Sequence, residues 1–267
     1  MPNWVMNRLV LTGKRANELA DKILSKDVET GKEYMNFNNI DRMPDTLNCV
    51  CGSCTAPAAE YYLTAINPTS TLKVRGYKKV SEDEFAHMLS KINDCYGERK
   101  LYGTNEFGVQ EDDFNTLGGK SSYLKYGKTI IENRMNYGAS TWYEWSREHW
   151  GVKWNASSSR VSRGTNEVEI YFETPWDGVA RLMAKAGTII PEVELTYDCS
   201  EEQTAYCEKY MKMKNGRVVD GKIYEPGSKE AVEHFMWLWG VEDEFVYDPK
   251  INNYRSRWDT SDDDDQD

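Results

Sequence analysis

The stretch Val5-Met-Asn-Arg-Leu-Val-Leu-Thr12, which ends at Gly13, decides the fold that this sequence predicts. Its apolar residues favour a β-strand, and Gly13 marks the turn that follows it. Residues 15–26 then place Leu19 and Ile23 at the spacing of one helix face. The chain therefore opens with a strand followed directly by a helix, which is the first part of a βαβ unit.

A second unit of the same kind is expected in the second half of the chain. Glu167–Glu173 alternates apolar and polar residues as a half-buried strand does, and Thr174-Pro175 is typical of a helix start. We expect the helix to run over Trp176–Ala186 and a strand to follow at Ile189–Asp198. Two such halves predict an α+β, ferredoxin-like βαβ–βαβ sandwich, in which an antiparallel sheet carries helices on one face.

The residues between the two units predict a strand, an insertion and a helical stretch. Tyr34–Ile40 alternates with period two and is expected to form a strand. Residues of about 71–120 are expected to form an inserted subdomain, in which Ser81–Glu84 has the pattern of a capping box at a helix start. Helices are expected to follow at Ser122–Asn136 and at Thr141–Trp150.

The C-terminal part predicts a hairpin, a helix and a tail. Asn215-Gly216 is the strongest short hairpin signal in the chain, and Ser228–Trp239 has the pattern of a capped helix. The sequence thus predicts a single domain over residues 1–257 that includes this hairpin and helix extension. Residues 258–267 are rich in aspartate and are expected to be a disordered acidic tail.

The composition is acidic and rich in aromatic residues. The 267 residues include 33 basic and 44 acidic side chains, which give a formal net charge of −11, and 12% of the residues are aromatic. Direct binding of nucleic acid is disfavoured, because affinity for its backbone depends on lysine and arginine. The sequence shows neither a signal peptide nor an apolar run long enough for a membrane helix, which predicts a cytoplasmic protein without a membrane partner.

Cys49-x-Cys51-x-x-Cys54 is the cluster that most suggests a metal site. Thiolates bind zinc, and a spacing of two residues between cysteines is common in zinc sites. A fourth ligand would come from Cys95 or from one of the three histidines His87, His149 and His234, but the second cysteine pair of a zinc ribbon is missing. We therefore predict free thiols and no cofactor, with zinc binding or a redox role of the cluster as the alternatives.

A tryptophan-rich helix holds the candidate binding residues. Trp142, Trp145 and His149 share one helix face, and Arg147 and Trp150 lie on the adjacent one. Such a stripe is typical of a core, whereas a partly exposed cluster of aromatic residues and arginine is typical of an interface. Core packing is favoured, and a binding surface is the alternative. The candidate surface comprises Trp142, Trp145, Arg147, His149, Trp150 and Trp154.

No catalytic constellation stands out from the sequence. Acidic neighbours such as residues 111–113, or Glu144 and Glu148, are expected by chance among 44 acidic residues. Gly118-Gly119-Lys120 lacks the spacing of a phosphate-binding loop, and neither dinucleotide signature occurs. The sequence thus predicts no catalytic residue, and an enzyme is the less favoured interpretation.

Separated stretches of the chain carry a family resemblance. They are Met1–Leu9, Phe37–Asp45, and Tyr137–Ala156 followed by Tyr171–Trp176. Together they resemble the YubB ferredoxin-like domain family, whose members are small proteins of bacteriophages, plasmids and integrated elements with no established activity. The resemblance covers residues 1–50 and about 121–200, and it implies a ferredoxin-like topology without an iron–sulfur cluster. Where the family has a Trp-Ser-Pro-Pro turn, this chain has Thr174-Pro-Trp-Asp-Gly178, so no binding role is carried over to that turn.

These features together favour a protein that acts by binding. The resemblance and the charge predict a non-enzymatic accessory protein of a bacteriophage or mobile element, in the cytoplasm of a bacterial host, whose partner is a host or phage protein. Its acidic surface is expected to inhibit a defence or nucleic-acid-processing enzyme, with the contact in the 71–120 insertion or the C-terminal region. One alternative is a metal-assisted enzyme that uses the cysteine cluster or an acidic pocket. The other is a self-assembling structural or replication-associated phage protein, whose edge strands near residues 206–224 pair between chains.

Overall fold

The computed structural model describes residues 2–66, 73–84, 87, 120–203 and 207–258. The chain divides into two compact units, which we call the sheet unit and the helical unit. The sheet unit comprises Met1–Arg42 and His149–Asp267, and the helical unit comprises Met43–Glu148. The single domain with an insertion at about 71–120 stays a prediction. Most of that insertion, and the acidic tail from residue 259 onward, lie outside the described residues.

The secondary structure is of the mixed α+β class. The strands are β1 Trp4–Thr12, β2 Leu24–Lys26, β3 Glu33–Met35, β4 Ser157–Arg163, β5 Glu167–Pro175, β6 Glu194–Glu201, β7 Lys209–Lys214, β8 Arg217–Ile223, β9 Phe245–Asp248 and β10 Asn253–Ser256. The α-helices are α1 Ala16–Ile23, α2 Thr55–Ile66, α3 Lys120–Tyr137, α4 Trp142–His149, α5 Ala180–Ala186 and α6 Lys229–Trp239. Short 3-10 helices lie at Phe37–Asn39, Asp45–Leu47 and Glu242–Glu244.

Six strands form one large sheet in the order β4-β5-β1-β6-β7-β8, and every neighbouring pair is antiparallel. The pairs β2-β3 and β9-β10 form two further small antiparallel sheets. The prediction of an antiparallel sheet combined with helices is therefore confirmed. Strand β1, the first strand in chain order, lies in the interior of the large sheet between β5 and β6.

One face of β1 contributes to the core of the sheet unit. Val5, Asn7, Leu9 and Leu11 are fully buried, and they share a face because successive residues of a strand point to opposite sides. Their neighbours on β5 and β6 include Phe172 and Tyr197, which are also fully buried. Helix α1 contacts β1 and β5, and its four buried residues follow the helical spacing read from the sequence.

Helix α6 lies on the opposite face of the sheet. Arg8 and Asp198 point to that face, because they alternate with the buried Asn7 and Tyr197. The guanidinium of Arg8 lies 5.1 Å from the ring centre of Trp237, and Oδ1 of Asp198 lies 3.4 Å from Nε2 of His234. Helix α6, which the sequence predicts as an extension of the sandwich, therefore covers the face opposite to the buried side chains of β1, where polar residues of the strands provide its partners.

Two local signals near the C-terminus are confirmed. The hairpin between β7 and β8 turns at Asn215 and Gly216, whose φ angles of 49° and 66° suit the left-handed turn that this dipeptide favours. Helix α6 begins after Ser228, whose hydroxyl accepts a hydrogen bond of 3.2 Å from the backbone N–H of Ala231. It ends at Gly240, which has a φ of 67°.

The predicted helix start at Thr174-Pro175 is wrong. These two residues end β5, and Trp176 has a φ of 66°, which is outside the helical region. Helix α5 begins only at Ala180. The pattern of a helix N-cap followed by proline is present in the sequence, but the residue after it adopts a conformation that sequence preference disfavours.

The predicted strand at Tyr34–Ile40 extends only to Met35. The side chain of Asn36 accepts a hydrogen bond of 3.1 Å from the backbone N–H of Asn38, which starts a 3-10 helix in place of the strand. The predicted strand at Ile189–Asp198 likewise begins later, at Glu194. In both cases, turn-forming contacts next to the strand set its bounds.

The helical unit contains α2, α3 and most of α4, in agreement with the helices predicted at residues 122–136 and 141–150. Helix α3 crosses α2 closely at Gly127, where an added Cβ atom would overlap the backbone carbonyl oxygen of Ala58. The predicted capping box is confirmed: the backbone N–H of Ser81 donates to the Glu84 carboxylate at 2.9 Å, and the N–H of Glu84 donates to the Ser81 hydroxyl at 3.2 Å. Across the described ranges, we find no helix with the length and apolar character needed to span a bilayer.

Candidate functional site

The six predicted binding residues belong to different units. Trp142, Trp145 and Arg147 lie in the helical unit, whereas His149, Trp150 and Trp154 lie in the sheet unit. Trp145 is only 3% exposed and Trp150 only 5% exposed. These two rings are therefore part of the packing of their units, which was the favoured interpretation of the tryptophan stripe.

The two other candidate residues of the helical unit, Trp142 and Arg147, both contact Tyr143 on α4. Arg147 is exposed, and its guanidinium lies 5.5 Å from the ring centre of Tyr143. Nη1 of Arg147 also donates a hydrogen bond of 3.3 Å to the Tyr143 hydroxyl. Trp142 is half-buried and meets Tyr143 edge to face at 5.8 Å. Arg147 therefore makes a cation–π contact within the helix itself.

In the sheet unit, His149 and Trp150 are both anchored on Asp41. Nε1 of Trp150 donates a hydrogen bond of 2.9 Å to the Asp41 carbonyl oxygen, and Nδ1 of His149 lies 3.2 Å from the Asp41 carboxylate. Lys185 also reaches this carboxylate, at 2.8 Å. The contacts connect the segment after α4 to the loop after β3, which gives His149 and Trp150 a structural role.

Trp154 is different, because it lies beside a second tryptophan at the surface. The ring centres of Trp154 and Trp176 are 5.5 Å apart, and Trp176 is 49% exposed. The ammonium of Lys153 lies 4.5 Å from the ring centre of Trp154 and 5.8 Å from that of Trp176. We call Lys153, Trp154 and Trp176 the tryptophan platform. It presents two aromatic rings and one positive charge on a single patch.

The backbone of Trp176 is held in an uncommon conformation. Its φ of 66° is rare for a residue that carries a side chain, and costs roughly 1–2 kcal/mol. The backbone N–H of Trp176 donates a hydrogen bond of 2.8 Å to the carbonyl oxygen of Asn3. The next residue, Asp177, accepts hydrogen bonds from Gly178 at 2.7 Å and from Lys209 at 2.6 Å. The turn is therefore fixed on both sides of the tryptophan.

A buried chain of hydrogen bonds lies beneath this turn. The backbone N–H of Val179 donates to the Tyr197 hydroxyl at 2.6 Å, and that hydroxyl donates to Oδ1 of Asn7 at 2.6 Å. Nδ2 of Asn7 donates to the Thr174 hydroxyl at 2.8 Å, which in turn donates to the Asp177 carbonyl oxygen at 2.7 Å. Burial raises the pKa of Tyr197 well above its usual value, so the hydroxyl stays protonated and remains a donor.

The network joins two sequence motifs that are far apart in the chain. Asn3 and Asn7 come from the N-terminal stretch, and Thr174–Gly178 comprises the end of β5 and the turn that follows it. Trp154 is among the binding residues that the sequence predicts, whereas Trp176 is not, although the stretch Tyr171–Trp176 ends on it. The available signal was Asn7, a polar residue in phase with the apolar Val5 and Leu9 on the buried face of β1.

Among the described residues, Cys49, Cys51 and Cys54 are not grouped as a coordination site. Cys49 and Cys54 are buried, and Cys51 is exposed. Burial raises the pKa of Cys49 to about 12 and also raises the pKa of Cys54, which opposes the thiolate form that zinc requires. Within the described ranges, no group of three or more Cys, His, Asp or Glu side chains is placed to hold a metal ion. Cys95 lies outside these ranges, and zinc binding stays a hypothesis.

A second buried polar cluster ties α6 to the sheet. Nδ1 of His234 lies 2.7 Å from the Glu208 carboxylate, which also accepts a hydrogen bond of 2.7 Å from Ser200. Burial alone would lower the pKa of His234, but the hydrogen bonds and charges of Asp198 and Glu208 outweigh it and raise the pKa to about 9. His234 is therefore a cation at neutral pH, between two buried carboxylates.

An open groove of about 780 Å³ lies along β4 and the β2-β3 hairpin. Its charged lining residues are Asp21, Lys26, Lys32, Glu33, Arg160 and Arg163. Arg163 donates to the Glu33 carboxylate at 2.8 and 2.9 Å and to Asp21 at 2.9 Å, so its guanidinium is engaged within the fold. The groove has mixed charge and does not correspond to the acidic pocket of the enzyme alternative.

Comparisons with known proteins give one distant fold similarity. No protein-family model matches the chain, and no curated protein matches it. Among solved structures, the crystal structure of protein api92 from Yersinia pseudotuberculosis, of the family DUF1281, is similar over 85% of this chain and 100% of that chain. The sequence identity is 14% and the TM-score is 0.41. At this level, no residue role is carried over, and the resemblance to the YubB family stays a prediction.

Proposed function

We propose that this protein acts by binding another protein, and that the tryptophan platform is the centre of the contact. The observation that carries the proposal is Trp176, half exposed on a turn that is strained and held by hydrogen bonds on both sides. Strained residues that persist because the surrounding structure fixes them cluster at functional sites. Tryptophan is also the residue type most enriched among the hot spots of protein interfaces.

The rigidity of the platform favours binding. Trp176 is fixed through its backbone, and its ring contacts that of Trp154. A side chain that is already ordered loses little conformational entropy when a partner covers it, so more of the contact energy appears as affinity. Lys153 adds a positive charge beside the rings, which favours a partner surface with a carboxylate or a carbonyl group near an apolar patch.

The biological setting belongs to the same proposal. The resemblance of the N-terminal and tryptophan-rich stretches supports an accessory protein of a bacteriophage or mobile element in the bacterial cytoplasm. Around the platform, the net charge of −11 supports a basic surface on the target, such as that of a defence or nucleic-acid-processing enzyme. The order β4-β5-β1-β6, with α1 after β1 and α5 between β5 and β6, supports a ferredoxin-like topology for the central part.

The test compares two tryptophan variants in a pull-down. Tagged wild-type protein, Trp176→Ala and Trp258→Ala are incubated with nuclease-treated bacterial lysate, and bound proteins are identified by mass spectrometry. Trp258 is 77% exposed and is the matched control. We expect wild type to capture a stoichiometric partner. The amount captured should fall by tenfold or more with Trp176→Ala and stay unchanged with Trp258→Ala. A partner retained equally by both variants would show that the platform is not the contact.

Self-assembly is a second candidate function, favoured by the exposed edge of β8. This strand ends the sheet, and Val218, Val219 and Ile223 are 55%, 55% and 79% exposed. An edge strand with exposed apolar residues is a template for pairing with another chain. Analytical ultracentrifugation of wild type and Val218→Lys tests it: we expect a concentration-dependent dimer that the variant abolishes. A wild type that remains monomeric at all concentrations measured rejects this candidate.

A further inference from the structure

Two cysteines lie directly behind the turn that carries Trp176. Cys199 on β6 is fully buried, and its Sγ donates a hydrogen bond of 3.3 Å to the carbonyl oxygen of Cys207. The Cys207 side chain and burial raise the pKa of the Cys199 thiol well above its usual value. Cys207 is half-buried and lies two residues before Lys209, which pairs with Cys199 across the strands. Both cysteines are free thiols in this structure.

Cys199 contacts the turn directly, and Lys209, its partner across the strands, binds the turn at Asp177. Gly178 lies against Cys199 so closely that an added Cβ atom would overlap the Cys199 Sγ and would lie 2.7 Å from the Tyr197 hydroxyl. The ammonium of Lys209 binds Asp177 at 2.6 Å, and its charge also acts on Cys199 and Cys207. A displacement of the Cys199 sulfur is therefore transmitted to residues on the C-terminal side of Trp176.

We propose that Cys199 and Cys207 form a modification site, at which a hydroperoxide converts the dithiol into a disulfide and thereby alters the turn of Trp176. The sulfur of the half-buried Cys207 thiol attacks the peroxide and breaks its O–O bond, which gives a sulfenic acid, and the thiol proton leaves with the other oxygen as water or alcohol. The Cys199 sulfur then attacks the Cys207 sulfur and forms the S–S bond. The hydroxyl group leaves with the Cys199 proton as water. Two thiols are oxidised and one peroxide is reduced.

The geometry explains why oxidation acts on the turn. In the disulfide, Cys199 no longer has a proton to donate to the Cys207 carbonyl oxygen, and its sulfur must move toward that of Cys207. The sulfur lies against Gly178, with no space for an added atom between them. Interiors are close-packed and transmit such displacements. The consequence for partner binding rests on the proposed function, whereas the chemistry and the change in the turn are properties of the free protein.

The experiment oxidises the full chain with hydrogen peroxide under native conditions. A Cys51→Ser background removes Cys51, which is exposed in the other unit, and Cys207→Ser in that background is the variant. Peptide mapping locates the cross-link, and hydrogen exchange measures the amides of residues 176–179. We expect a Cys199–Cys207 disulfide, reversed by dithiothreitol, together with at least a threefold change in exchange of those amides. The Cys207→Ser protein shows neither.

Two outcomes would overturn the proposal. In the first, both cysteines stay reduced, or Cys207 proceeds to sulfinic acid while Cys199 remains a thiol. In the second, the disulfide forms but exchange at residues 176–179 is unchanged. Neither readout uses a partner, so the failure of this proposal is distinguishable from a pull-down in which Trp176→Ala loses nothing.

Discussion

Asn7 and Thr174 are joined by a hydrogen bond of 2.8 Å between the side-chain amide and the hydroxyl, although 167 residues separate them in the chain. Both side chains are fully buried. The Thr174 hydroxyl uses its proton for the Asp177 carbonyl oxygen at 2.7 Å, so it acts as an acceptor toward Asn7 and as a donor toward the turn. One oxygen atom thus links the central strand to the segment that presents Trp176.

Replacing this hydroxyl by a methyl group should destabilise the sheet unit. Thr174→Val keeps the shape of the side chain but leaves the Asp177 carbonyl oxygen without this donor. We expect the free energy of unfolding to fall by about 1–3 kcal/mol in urea titrations. Thr188→Val is the control, because its hydroxyl makes the same kind of bond to Lys185 at an exposed position, and should change stability by less than about 0.5 kcal/mol. Equal effects at both sites would contradict the structural role of Thr174.

Because the backbone of Trp176 is left-handed, glycine at this position should be more stable than alanine. Both Trp176→Gly and Trp176→Ala lose the contact with Trp154, but only glycine adopts a φ of 66° without steric cost. We expect Trp176→Gly to be about 1 kcal/mol more stable than Trp176→Ala. At Trp237, inside α6, the order should reverse, with glycine about 1 kcal/mol less stable than alanine. Thermal unfolding of the four variants checks this. If the alanine variant were more stable than the glycine variant at both positions, the backbone of Trp176 would not be strained.

The raised pKa of His234 predicts that the protein loses stability at alkaline pH. Because the folded pKa of about 9 is above the unfolded value near 6.5, the contribution of His234 is fully present below about pH 6.5. It is lost as the pH rises through about 9. The contribution is on the order of 2–4 kcal/mol.

The measurement compares wild type with His234→Gln, which keeps hydrogen-bonding capacity but cannot become a cation. Urea titrations from pH 6 to 10 should show a gap in unfolding free energy that is largest at pH 6 and closes near pH 10. Taking the difference between the two proteins removes the titration of tyrosines and lysines that they share. A gap independent of pH would show that the histidine is neutral between Asp198 and Glu208.

The close crossing of α2 and α3 predicts a strong effect of one methyl group. In Gly127→Ala, the added Cβ would overlap the Ala58 carbonyl oxygen, so the two helix backbones must move apart. We expect faster hydrogen exchange throughout α2 and α3, equivalent to a loss of about 1–3 kcal/mol. Gly52→Ala is the control in the same unit, since nothing lies within 4 Å of its added Cβ. Unchanged exchange in Gly127→Ala would contradict this packing.

Sequence patterns predicted local structure well where the residues themselves carry the cause. Asn215-Gly216 turns because both residues accept positive φ angles, and Ser228 caps α6 through its own hydroxyl. The helical spacing at Leu19 and Ile23 and the burial of Trp145 follow from amphipathic patterns in the same way. In these places, local preference and the final fold agree.

Tertiary contacts decided the rest. Trp176 follows a sequence pattern typical of a helix start, but its amide binds Asn3, which is far away in the chain, and the turn bonds of Asp177 hold it left-handed. Helix α6 lies on its face of the sheet because His234 meets Asp198 and Glu208, a pairing that no local spacing reveals. The platform was predicted only in part for this reason: Trp154 belongs to a visible motif, whereas Trp176 depends on contacts across the sheet.

The central position of β1 has a consequence for synthesis on the ribosome. Strand β1 is translated first, but both of its neighbours in the sheet, β5 and β6, come after the whole helical unit. At about 5–20 residues per second, a nascent chain carries an unpaired β1 for roughly 10–40 s. During that interval, Val5, Leu9 and Leu11 lack their final neighbours on both sides. During synthesis, the unpaired β1 is therefore exposed to aggregation. Chaperones that bind it, and any fusion placed before Trp4, would determine how much protein forms the native sheet.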